Sequence, residues 1–221
     1  MLKIGFRSPI ILFIFLLLAG CQENKPKTSP AKITTEVIVP DTTATLSLSE
    51  PPVSDDSAVL RLNRTILLLL KNRDYAGLAN YIHPTRGVRF SPYGFVDTIR
   101  NQQLSLERFL KEISGNNEIN WGEYDGSGEP MLLTLKAYLL QFVYDKDILS
   151  AEKTSLNKML GGGNSLNNLE AVYIGLPYVE SYFSGFEKKY GGMDWCSLRL
   201  VFEKRGAQYY LVGVVHDQWT I

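Results

Sequence analysis

Histidine and cysteine are scarce in this chain, two of each among 221 residues, and their scarcity removes whole classes of chemistry. A zinc site needs three or four clustered nitrogen, sulfur or carboxylate ligands, whereas His83 and His216 stand far apart in sequence with no carboxylate pair beside them. No metal is expected, and nothing in the sequence asks for a cofactor. Neither sign of charge dominates: 23 Lys and Arg face 23 Asp and Glu, without the basic stripe that marks a nucleic-acid surface. No internal repeat appears. No apolar run is long enough to cross a bilayer, since a spanning helix takes about 20 residues and the longest run, Ile10 to Leu18, falls well short of that.

That short run matters for what surrounds it. Lys3 and Arg7 supply a positive region, and IILFIFLLL then forms the apolar core of an export signal. It leads directly into Leu18-Ala19-Gly20-Cys21, which resembles the lipobox of bacterial lipoproteins. The resemblance implies that residues 1–20 are removed as a signal peptide and that the Cys21 sulfur receives a diacylglycerol, with palmitate-type acyl chains. Two or more such chains anchor a protein stably, at about 0.8 kcal/mol per buried methylene. The expected partner is therefore a lipid bilayer and the expected place the bacterial cell envelope. Gln22 resembles an outer-membrane sorting signal, which favours the outer over the inner membrane. With Cys21 acylated, Cys196 has no partner, so no intrachain disulfide is expected in spite of an oxidising compartment.

From Gln22 to about Ser57, five of the ten prolines gather among many Thr and Ser, with no glycine and no aromatic residue. Such a stretch buries too little apolar surface to offset the entropy of ordering it, so residues 21–57 are expected to be the lipidated cysteine and a disordered linker. Extended, it spans roughly 120 Å, and as a coil about 30 to 40 Å.

Residues 58–221 have the length of a single domain. Val59, Leu62, Ile66 and Leu69 recur at helical spacing behind Asp55 and Asp56, and Tyr75, Leu78, Ala79 and Ile82 repeat the pattern until Pro84 stops it. A short strand is expected at 87–92, a helix at 103–113, a strand at 118–124 and a fourth helix at 134–144, with NKMLGGGNSLNN a loop. Three β-rich segments close the domain, LPYVESYFSGF, DWCSLRLVFEK and AQYYLVGVVHD, the last two joined at Arg205-Gly206. Cys196, Leu198, Leu200 and Phe202 share one strand face and Ser197, Arg199 and Glu203 the other, which predicts an antiparallel meander with one buried side.

Helices first and a three-stranded meander last make an α+β domain. This order resembles the nuclear transport factor and polyketide cyclase superfamily, whose curved antiparallel sheet packs on N-terminal helices to form a cone with an open mouth. The phrases GVRFSPY, WGEYDGSGEP, DWCSLRLVFE and HDQWTI also look like those of a group of uncharacterised bacterial exported proteins. That second resemblance brings no activity with it.

Candidate site residues follow from these placements. In WGEYDGSGEP, Asp125-Gly126 is a turn dipeptide and Pro130 suits a helix about to start, while Trp121, Tyr124 and Asp125 together suit the rim of a small-ligand pocket. No lysine follows the glycines and no G-x-S-x-G spacing is present, so neither a phosphate loop nor a nucleophile elbow is expected. Asp125, Ser127 and Glu129 only partly imitate a calcium loop. His83 is placed to cap a helix end. His216, on the cone's inner face if the resemblance holds, is either a hydrogen-bonded core residue or an acid-base group with Asp194 or Asp125. Arg89 is read as a structural partner of Asp125 or Asp194, or as the receptor of an anionic group. Ser91 with His83 lacks the spacing of a triad, and Cys196 is read as an inert core thiol. The leading expectation is an envelope lipoprotein that binds a ligand or a protein without catalysis. The alternative is a cyclase, isomerase or hydrolase using His216 with Asp194 or Asp125 in the cone.

Overall fold

The computed structural model describes residues 55–163 and 166–220. The lipobox, Cys21 and nearly all of the expected linker lie outside these residues. Helix α1 (Asp55–Lys71) begins three residues before the boundary expected at position 58. Asp55 and Asp56 occupy its first turn, where free N–H groups and the helix dipole favour carboxylates. Lys204 Nζ also pairs with Asp55 at 2.7 Å, tying the helix start to the sheet. Val59, Asn63, Ile66, Leu67 and Leu70 form the buried stripe.

Helix α2 (Tyr75–Ala79) is capped by Asp74, whose side chain accepts from the Gly77 N–H. It stops before Ile82, which bridges to Leu211 at the sheet instead of continuing the helix. Strands β1 (Val88–Ser91) and β2 (Gln103–Leu104) pair with each other. That pairing delays α3 (Leu106–Ser114) beyond its expected start at 103, and Ser105 is its N-cap. Strands β3 (Glu118–Glu123) and β4 (Pro130–Thr134) form a two-stranded hairpin. Pro130 therefore opens a strand, not the expected helix. Helix initiation is deferred to Thr134, whose hydroxyl accepts from the Ala137 N–H, and α4 (Leu135–Tyr138) passes at once into a π-helical turn at Leu139–Val143. After β5 (Lys153–Leu156) and α5 (Leu169–Val172) come the three expected strands, β6 (Tyr178–Phe183), β7 (Cys196–Arg205) and β8 (Gln208–Gln218).

The six-stranded sheet runs β2-β1-β8-β7-β6-β5, antiparallel except that β1 lies parallel to β8. The domain is α+β. Helices α1 to α4 cover one face, where Ile66, Leu70, Leu139 and Phe142 meet Leu198, Leu200 and Val214. The expectation of a single buried side is corrected by the other face. There α5 and its neighbours bring Leu169 and Tyr173 over Val201, Val212 and Val215 in a second apolar cluster. Ser197 and Arg199, expected to face solvent, are buried.

Arg199 is tolerated there because its charge is matched. Its guanidinium donates to Asp217 Oδ2 at 2.7 Å, to Glu180 Oε1 at 3.0 Å and to the Gly161 carbonyl at 3.0 Å. Glu180 in turn accepts from the backbone N–H groups of Leu160 and Gly161. The glycine segment is thus fastened across the sheet by a buried ion triad. Gly161 has to be glycine for this approach, since a Cβ there would lie 2.8 Å from the Trp195 ring. No helix of the described residues is long and apolar enough to cross a membrane.

Candidate functional site

The WGEYDGSGEP segment closes the β3–β4 hairpin, with Tyr124 N–H donating to the Glu129 carbonyl at 2.9 Å. Trp121 faces inward with Ile119 by strand alternation, and the register shifts between Asn120 and Glu123. Trp121 is 1% exposed, and its indole donates to the Leu133 carbonyl at 2.9 Å. Its ring stacks on Tyr138 at 3.9 Å, Tyr138 stacks on Phe142 at 5.2 Å, and Phe142 meets the His216 ring edge-on at 5.8 Å. Tyr124 leans on Phe142 at 6.3 Å. An aromatic column therefore occupies the ground where a cone cavity was expected, and the enclosed space beside it amounts to about 10 Å³. Trp121 is a core residue, not a rim residue. Asp125 is exposed in the turn, its backbone N–H donating to the Tyr93 hydroxyl at 2.9 Å.

His216 lies at the end of the column and is 2% exposed. Its Nδ1 is 3.1 Å from the Pro92 carbonyl, which requires that nitrogen to carry the proton, and Nε2 has no partner. Burial lowers its pKa below the ordinary 6.5, with the Asp145 charge opposing, so the ring is neutral. His83 does not cap a helix: its Nδ1 accepts from the Arg86 N–H at 2.9 Å and holds the turn into β1. Ser91 donates to Asn101 Oδ1 at 2.7 Å and takes no part in a triad with His83. Arg89 pairs with neither Asp125 nor Asp194. It points to the opposite face of the sheet and donates to the carbonyls of Thr98 and Asn101.

Asp194 belongs to a different place, an open cleft of about 260 Å³ between the Asp145-Lys146 turn, the 186–195 segment and the end of β8. Phe186, Met193 and Trp219 are each about half exposed on its walls, at 49%, 51% and 41%. Asp194 Oδ2 accepts from the backbone N–H groups of Phe186 and Glu187 at 2.9 and 2.7 Å. Burial works to raise its pKa, but the Glu187 and Phe186 N–H groups outweigh it and hold the carboxyl below its usual range. Asp194 Oδ1 and Asp145 Oδ1 are both buried without a hydrogen-bond donor, a condition that native structures rarely leave unanswered. Cys196 also lines the cleft, where burial pushes its thiol up to about 12 and keeps it from acting as a thiolate. Neither His216, Asp125 nor Trp121 lines this cleft.

The cleft thus offers aromatic and thioether walls and two carboxylates, a set suited to binding. Asp145, Phe186 and Met193 were missed by sequence reasoning, because nothing in DKD or SGF announces which face of the fold they reach. Trp219 follows the singled-out His216 and Asp217, and an aromatic residue after a strand end was the available signal. Among the described residues no three His, Cys, Asp or Glu side chains gather to hold a metal.

No protein-family model and no curated protein matches the chain. Among solved structures it is similar to a designed nuclear transport factor 2-like protein, at 13% identity over 74% of this chain and 99% of that one, with a TM-score of 0.33. At that score the similarity is a loose likeness of fold and carries nothing about activity.

Proposed function

We propose that this chain is a lipid-anchored protein of the bacterial cell envelope, favoured at the outer membrane, whose tethered α+β domain binds a ligand without transforming it. Cys21 is the anchor in this reading, the proline-rich stretch after it is the leash, and the Asp145–Asp194 cleft is the binding site. The observation that supports binding is the two-sided lining of the cleft, apolar at Phe186, Met193 and Trp219 and charged at Asp145, Lys146 and Asp194. A ligand carrying N–H or O–H groups on one side and an apolar surface on the other meets both requirements. The rival reading, an enzyme using His216 with Asp194 or Asp125, draws less support because those side chains do not share the cleft.

Two measurements test the halves separately. Cells fed an alkynyl fatty acid are expected to label the wild-type chain and not Cys21→Ser, which should leave the membrane fraction; equal labelling of both rejects the anchor. Full-length protein in detergent, titrated with small molecules extracted from the envelope, is expected to show a saturable change in tryptophan fluorescence that Asp194→Asn loses. No change in the wild type, or the same change in the variant, rejects the cleft.

A further inference from the structure

A second cleft lies on the opposite face of the sheet, among the turn into β1, the 98–103 segment and α5. Arg86, Arg89, Thr98, Gln103 and Tyr173 line it, around about 130 Å³ of free space, where about 10 to 15 Å³ holds one water. The charge in it is arranged unusually. Among the described residues no carboxylate comes within salt-bridge distance of Arg89. Its guanidinium meets only neutral acceptors, the carbonyls of Thr98 and Asn101, each at 3.0 Å, and the side-chain oxygen of Gln103. These occupy three of the five N–H donors that a guanidinium carries. Arg86 reaches Glu203 with one nitrogen and lies 5.6 Å above the Tyr173 ring.

Tyr173 makes this more than a basic surface. It is 3% exposed, and its hydroxyl makes no hydrogen bond of normal geometry, although the Arg89 guanidinium lies close enough to bear on its oxygen. The hydroxyl sits over Gly213, where a Cβ would come within 2.7 Å of it, and Gly213 is the strand neighbour of Arg89. Burial raises the hydroxyl's pKa while the charges of Arg89 and Arg86 pull it down, which places both cations near enough to act on it. A half-buried positive charge whose hydrogen bonds go to neutral acceptors, with the Asp97 carboxylate acting on it only beyond salt-bridge distance, and a buried donor with nothing to donate to are each costly alone. One anion relieves both.

We infer that this cleft is a binding site for a small oxyanion, a phosphate or carboxylate group, held by the free N–H groups of Arg89 and Arg86 with the Tyr173 hydroxyl as a third donor. The site is independent of the Asp145–Asp194 cleft and does not rest on its assignment. Isothermal titration of the full-length protein in detergent with inorganic phosphate, and separately with acetate, tests it. Saturable binding of either ion supports the site and identifies the preferred oxyanion; saturation by neither up to tens of millimolar overturns it. Tyr173→Phe removes one hydroxyl that makes no hydrogen bond of normal geometry within the protein, so its thermal midpoint without anion is expected to match or exceed that of the wild type. Its affinity should fall at least about tenfold. Arg89→Gln should abolish binding, whereas Asp194→Asn should bind as the wild type does. Wild-type affinity in both Tyr173→Phe and Arg89→Gln overturns the proposal.

Discussion

His216 is a titratable group held in one protonation state by its surroundings. The folded chain keeps it neutral, whereas the unfolded chain lets it protonate near the ordinary value of 6.5. Its contribution to stability is therefore complete above that pH and is lost as the pH falls, with a slope approaching about 1.4 kcal/mol per pH unit until the folded ring itself protonates. Asp217, whose carboxyl burial pushes up, contributes in the opposite sense at lower pH. Urea denaturation from about pH 7 down to pH 5 should show this loss in the wild type and a flatter curve in His216→Gln; equal curves would mean that the ring is not buried neutral. Cys196 gives a second residue-scale prediction. With its thiol raised to about 12, a maleimide at neutral pH should label it only at the rate of unfolding, and rapid labelling of the native chain would contradict the burial seen here. Both residues were legible as unusual in the sequence. The role of His216 was not, because its neighbour Phe142 comes from a helix more than seventy positions earlier.

The β3–β4 hairpin shows what local pattern can and cannot specify. Alternation in EINWGEY marked β3 and set Ile119 and Trp121 on its buried face, but the bulge beside Trp121 depends on Gly122, whose φ of 124° lies where L side chains rarely go. Gly122→Ala should cost about 1 to 2 kcal/mol, read as a lower urea midpoint with an unchanged slope. An unchanged midpoint would show that the bulge relaxes freely. The same hairpin explains the misplaced helix start: Asp-Gly and Pro mark turns equally well before a strand and before a helix, and pairing across the hairpin decides between them. The meander was clear because three β-rich segments with a turn between two of them are self-evident at close range. Burial of both faces of β7 was not, because the covering segment is rich in glycine and asparagine and looks like solvent-exposed loop.

For the domain as a whole, the Glu180–Arg199–Asp217 triad joins the strands of the meander to the segment folded across them. Arg199→Met keeps the volume but leaves two buried carboxylates without their cation. It should cost about 3 to 5 kcal/mol and expose the 157–163 segment to proteolysis before the rest of the domain; a variant as stable as the wild type would show the carboxylates to be solvated. The order of the sheet carries a further consequence. Strand β8 follows the other strands in sequence yet sits between β1 and β7, so β1 and β2 cannot join the rest of the sheet until a ribosome has delivered β8. A polypeptide wired this way cannot complete its sheet while it is still being made, so its finished shape sets late.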